Sequence, residues 1–211
     1  MVKSDESPST GIMNKRTIFR WVCILLIVFY AIWAVYQLIT TPNNLELIGD
    51  RFFGILLFGF FLFVNKKIDF HWLAFIMVIF AFNLHHAGLY GHVILGIPAD
   101  NIIHFSTNFA GVLLFYNIFY SSRLFPKAKI NNFVLMLIIF FFTTGIAAFG
   151  EIIEFVGYSF LGEGEGILAY GIGDFGEWND LSWDLIANSI GAIAGIIVFN
   201  VFRIKKWIKR N

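Results

Sequence analysis

The sequence predicts an all-α protein: a polytopic membrane helix bundle of six transmembrane helices, with both termini on the cytoplasmic side. Three observations carry this reading. Of the 211 residues, 58% are hydrophobic, 27 are Phe and only 14% are charged, whereas a soluble domain carries roughly a quarter charged residues. The apolar residues gather into six segments of near-spanning length. The basic residues collect on one side of those segments.

A helix needs roughly 20 mostly apolar residues to cross a hydrocarbon core about 30 Å thick. In chain order, residues 17–39, 47–64, 70–89, 101–120, 132–158 and 181–202 meet that need, the second being the shortest. Helices are expected throughout, because lone strands would leave backbone groups unpaired in lipid. Residues 1–14, with Ser, Pro, Asp and Glu, read as a disordered cytoplasmic tail, residues 15–206 as the transmembrane domain and residues 207–211 as a basic cytoplasmic tail. The first apolar run is too long for the core of a signal peptide and reads as a retained span. The single cysteine, Cys23, lies inside that run, so no intrachain disulfide is possible and the residue reads as a small apolar filler.

Charge sets the orientation. Lys3, Lys15, Arg16 and Arg20 precede the first span, Lys66 and Lys67 join the second to the third, and Arg123, Lys127 and Lys129 join the fourth to the fifth. Five more, Arg203 to Arg210, follow the last. With six spans, 14 of the 15 basic residues share one side and only Arg51 lies opposite. An excess of Lys and Arg marks the cytoplasmic face, so the chain is expected as a multi-pass protein of the cell (plasma or inner) membrane. The bilayer is its partner, and basic residues confined to helix ends and tails exclude nucleic acid as another.

The opposite face is acidic and histidine-rich, and counting along the helices places its polar residues at one depth. From Lys67 to His85 or His86, from His104 to Arg123, from Phe133 to Glu151 and from Asp184 to Arg203 is ~27–29 Å at 1.5 Å per residue. Asn108 and Asn188 both fall ~22 Å above their anchors by the same count, inside the apolar region. Helical phase agrees with depth: His104, Asn108 and Gly111 share a stripe with Asp100 and Asn101 just above, and Asp180, Asp184, Asn188, Gly191 and Gly195 form another. Gly191 and Gly195 make a Gly-xxx-Gly pair, a spacing that lets helix backbones approach closely in lipid. On the fifth span Glu151 and Glu154 stand one turn apart.

Ionisable residues inside a membrane are rare, costly and face the bundle interior. His104, Glu151 and Asp184 are therefore the candidate catalytic group. Glu154 and Asp180 join His104 and Asp184 as candidate ligands of a divalent metal ion, although Asp180 also suits the N-cap of the last helix. His85, His86, Asn108 and Asn188 are supporting polar residues. The two histidines point about 100° apart on a helix, so one at most faces the site easily, and the two asparagines equally suit a bond across helices. The outer loop of residues 159–179 holds six glycines, four acids and no base. Its acids suit an oxygen-preferring cation such as Ca²⁺ or Mg²⁺, whereas His104 beside carboxylates suits Zn²⁺ or another transition metal.

The stretch Asp100-Asn-Ile-Ile-His104-Phe, followed by Gly111, resembles the Asp-x-x-x-His-Phe element of the YjdF-type bacterial inner-membrane proteins, which are allied to the VanZ-like group. Gly150-Glu151-Ile-Ile-Glu154-Phe resembles their glutamate-bearing helix. Asp180-Leu-Ser-Trp-Asp184, with Asn188 and Gly191 following, resembles their closing helix. The resemblance covers residues 84–195, and the loop before Asp180 departs from it. It implies a polytopic bacterial-type membrane protein with these polar positions and implies no reaction.

Three functions fit these residues. The first is a membrane-embedded, metal-assisted enzyme acting on a lipid-like or amphipathic substrate at the outer face, with Glu151 or His104 as base and Asp184 and Asp180 holding a metal or orienting water. The second is a non-catalytic binding or envelope-assembly protein. The third, a cation- or proton-coupled transporter, ranks last because the cytoplasmic halves of the spans offer almost no polar continuation.

Overall fold

The computed structural model describes residues 14–42, 45–65, 68, 71–86, 92–121, 131–161 and 177–208, apart from a few side chains near helix ends. The sequence features assigned to residues 1–13, 162–176 and 209–211 lie outside the described residues. Among the described residues six helices run in order: α1 (Lys15–Thr40), α2 (Leu45–Val64), α3 (Trp72–His85), α4 (Ala99–Ser121), α5 (Asn132–Leu161) and α6 (Glu177–Ile208). The chain is an all-α membrane bundle. Among the described residues four segments are long and apolar enough to cross a bilayer: Lys15–Thr40, Ala99–Phe119, Asn132–Val156 and Leu181–Val201.

Local chemistry sets several helix starts. Asn14 Oδ1 accepts from the Arg16 backbone N–H at 3.1 Å, His71 Nδ1 from Leu73 at 3.2 Å and Asn131 Oδ1 from Phe133 at 2.9 Å. Each satisfies one of the N–H groups that a helix start leaves without an intrahelical partner. At the far end of α1 the Thr41 N–H bonds to the Gln37 carbonyl, and Pro42 follows.

One element departs from a purely helical expectation. Val93–Ile94 (β1) and Ile97–Pro98 (β2) pair antiparallel just before α4. Their two-residue turn puts Leu95 at φ 52° and Gly96 at φ 81°, the doubly left-handed backbone that matches strand twist in tight hairpins. Asn-Gly or Asp-Gly is the usual signal for such a turn. Leu-Gly within an apolar run does not announce it.

The helices divide into two groups. Phe19, Cys23, Tyr30, Phe58, Phe61, Phe75 and Phe82 form an aromatic core among α1, α2 and α3, with Phe19 and Phe75 centroids 4.2 Å apart. The buried Cys23 fills space here, as its residue type suggests. Val112, Tyr116, Leu135, Ile139, Ala192 and Ile196 form the core of α4, α5 and α6, where Tyr116 stacks on Phe199 at 4.0 Å and 6°. The groups meet where α3 packs on α4. Bulky apolar side chains such as Leu25, Ile32, Phe63 and Phe141 remain exposed. In water that surface would mark a docking site. On a bundle of spanning helices it is the face that lipid covers.

Among the described residues α4 and α6 pack on each other more extensively than any other pair of helices. A Cβ placed on Gly191 would overlap the Phe105 backbone carbonyl, and one on Gly195 would lie 2.9 Å from Val112 Cβ. Absence of side chains at these two positions brings the backbones together, and so brings the polar residues of both helices within reach of each other.

Candidate functional site

The hairpin leads directly into α4, whose first turn carries Asp100. An acid is stabilised there by the helix dipole, and the i, i+4 spacing sets it beside His104. Asp100 Oδ1 lies 3.5 Å from His104 Nε2. From α6, Asp184 Oδ1 approaches the same nitrogen at 3.7 Å. From α5, Glu151 Oε1 stands 3.4 Å from the other ring nitrogen, Nδ1. One imidazole thus has three carboxylates around it, supplied by three helices.

Asparagines buttress this group from below. Asn188 lies one turn after Asp184 on α6, and its Nδ2 is 3.2 Å from His104 Nδ1. Asn108, one turn after His104 on α4, donates from Nδ2 to the Asn188 carbonyl at 2.8 Å. Both amides are buried, as are Glu151 and Asp184. The cross-helix bond holds α4 and α6 in one register immediately beneath the ionisable group.

Glu154 completes a second possible ligand set. Ligand atoms of Asp100, His104 and Asp184 lie within 4.8 Å of one another, and so do those of His104, Glu151 and Glu154. Two ligands bound tetrahedrally at about 2.1 Å from an ion sit about 3.4 Å apart. The His104–carboxylate separations of 3.4, 3.5 and 3.7 Å fit that spacing. A mixed nitrogen and oxygen donor set suits zinc and other first-row metals better than the all-oxygen sets of calcium or magnesium. Excess carboxylate charge around a single ring favours a cation in its own right.

His104, Glu151, Glu154, Asp184, Asn108 and Asn188 are brought together. Gly191 and Gly195 lie on the face of α6 that meets α4. His85 lies within electrostatic range of His104 and Asp100. His86 turns away: its Nδ1 is 2.7 Å from the Phe82 carbonyl, its Nε2 is 3.3 Å from the Asp50 carbonyl, and its ring packs against Tyr30. Asp180 occupies the first turn of α6, and its side chain lies outside the described residues, as do the acids of residues 162–176.

Asp100 is the site residue that depth counting undervalues. Counted from the cytoplasmic anchor it stands above the common plane, but its i, i+4 relation to His104 is the signal that finds it. A second buried group, around Arg51, also escapes a reading based on segregation of charge. There Arg51 registers only as the one basic residue on the unexpected side.

Fold and site together define a multi-pass α-helical membrane protein with a buried His/Asp/Glu cluster at one end of its bundle. The family model described as Predicted membrane protein (DUF2238) matches residues 19–205, and the chain belongs to that family. Neither the curated proteins nor the solved structures contain a match.

Proposed function

We propose that this chain is a membrane-embedded, metal-assisted enzyme acting on a lipid-like or amphipathic substrate at the external face of the cell membrane. The observation that carries the reading is the convergence of Asp100, Glu151 and Asp184 on the His104 ring at 3.4–3.7 Å. Asp100, Asp184 and His104 Nε2 are the natural ligands, since all three approach one point. Glu151, on the Nδ1 side, then orients the ring, as carboxylates commonly do for metal-bound histidines. Glu154, one turn along α5, is the carboxyl group left outside that ligand set for proton transfer. A bound divalent ion supplies Lewis acidity and a water acidic enough to attack near neutral pH. Hydrolysis or transfer at an ester linkage is the reaction class this donor set suits.

An external location for the site is supported by the bias of 14 basic residues among 15 toward the other side of a six-span, N-in/C-in chain. Likeness to the YjdF-type and VanZ-like proteins rests on the motifs around His104, Glu151 and Asp184, and it favours a bacterial-type cell membrane. A transport path has less support, because below Asn108 the buried side of α4 is Ala110, Val112, Leu113 and Tyr116, and the next buried amide, Asn117, lies two turns further down and accepts from the His71 backbone N–H.

The test is untargeted mass spectrometry of lipids from cells expressing the wild type, Glu151→Gln or Glu154→Gln. A lipid species formed or consumed with the wild type and unchanged with at least one of the two variants is expected. Identical profiles for all three would remove the enzyme reading and leave a binding role.

A further inference from the structure

A second buried polar group lies among α1, α2 and α3. Arg51 of α2 is only 4% exposed, and its guanidinium carbon stands 3.8 Å above the Trp33 ring. Tyr30, Trp33 and Gln37 share one face of α1 by their i, i+3, i+7 spacing. His86 packs beside Trp33 with ring centroids 6.3 Å apart, and Asp50 is buried next to Arg51 in the chain.

Hydrogen bonding around Arg51 does not close. Its Nε and Nη1 are fully buried and have no hydrogen-bond partner among the described residues, and neither does Gln37 Oε1. Asp50 is near enough to act on Arg51 electrostatically, yet it bonds neither of those nitrogens. A cation taken out of water is strongly destabilising unless its donors meet acceptors. Stacking on Trp33 occupies the flat face of the guanidinium and leaves its edge for a ligand.

We propose that Arg51, braced on Trp33, binds the phosphate oxyanion of a lipid headgroup. A guanidinium edge matches the oxygens of a phosphate, where an ammonium would offer only a point charge. Arg51 lies six residues into α2, or ~9 Å from its start at 1.5 Å per residue. A basic side chain this near a helix end can reach toward the headgroup region along its own stem. Phe52, Phe53 and Leu56 beside it are exposed apolar side chains, fit to lie along acyl chains. Nε and Nη1 are covered in this conformation, so the oxyanion enters as neighbouring side chains turn aside. The Arg51 site stands whether or not His104 and its neighbours take a metal.

The experiment uses the full chain in dodecyl maltoside and measures binding of short-chain phosphatidic acid, of diacylglycerol with the same chains and of inorganic phosphate. Saturable binding of phosphatidic acid and none of diacylglycerol is expected. Arg51→Gln should weaken phosphatidic acid binding about tenfold or more, the worth of a hydrogen bond to a charged group. Arg51→Lys should fall between them. Displacement by inorganic phosphate would assign the oxyanion to a soluble phosphate, and failure to displace would assign it to lipid. Equal wild-type binding of phosphatidic acid and diacylglycerol would overturn the proposal without recourse to any variant. So would undiminished phosphatidic acid binding by folded Arg51→Gln.

Discussion

Gly191 of α6 lies so close to the backbone carbonyl of Phe105 of α4 that no Cβ fits between them. Phe105 follows His104, and Gly191 stands two turns below Asp184, so this contact sets the distance across which the two ionisable side chains meet. Overpacking at a tight helix contact costs about 1–3 kcal/mol. Gly191→Ala should therefore lower the thermal midpoint in detergent. Gly145→Ala, where nothing lies within 4 Å of the added methyl, should leave it unchanged or raise it, because alanine is the better helix former. Equal midpoints for the two variants would mean that α4 and α6 do not approach as described.

Asn108 donates to the Asn188 carbonyl across the same interface at 2.8 Å. Interhelical side-chain bonds in membrane proteins are worth about 0.6 kcal/mol on average and up to about 1.7. Asn108→Leu should thus cost little stability directly, but a bulkier apolar group beneath His104 should disturb the site. We expect a small shift in unfolding midpoint together with a larger loss of metal affinity. A large loss of stability with unchanged metal affinity would assign Asn108 to packing alone.

Much of the fold was legible because membrane helices announce themselves by length and composition. The apolar segments that carry His104, Glu151 and Asp184 lie within α4, α5 and α6, each of which holds a stretch long and apolar enough to cross a bilayer, and the polar stripes on α4 and α6 face each other as their glycines imply. The hairpin before α4 was not legible, since Leu95-Gly96 lacks the usual turn residues. That His85 and His86 part company was legible from helix geometry, but which of them leaves the site was not. Adjacent residues point to different neighbours on a helix, but only packing decides that His86 goes to Tyr30 and the Asp50 carbonyl. The burial of Arg51 was hidden for a related reason. A basic residue near a helix end reads as solvated, and stacking on Trp33 is a tertiary event between α1 and α2 with no local signature.

Orientation can be tested by thiol labelling. In a Cys23→Ala background, His92→Cys beside the exposed hairpin should react with a membrane-impermeant maleimide on intact cells. A cysteine appended after Asn211 should react only after permeabilisation. The reverse pattern would place the His104 cluster on the cytoplasmic face and end the outer-face reading.

Glu151 separates positioning from ligation. If it orients the His104 ring through Nδ1, Glu151→Gln should retain the metal with affinity lowered about 10–100-fold, the usual cost of losing such a partner. Complete loss of metal would instead make Glu151 a direct ligand and move the ion to the His104, Glu151, Glu154 set.

The central claim is that His104 and the carboxylates around it hold one divalent ion. Calorimetric titration of the chelator-treated full chain with Zn²⁺ and with Mn²⁺ tests it most directly. The account predicts saturable binding of one equivalent of at least one of these ions by the wild type, abolished in both His104→Ala and Asp184→Ala. No saturable binding of either ion by a folded wild type, or binding retained by both variants, would contradict it.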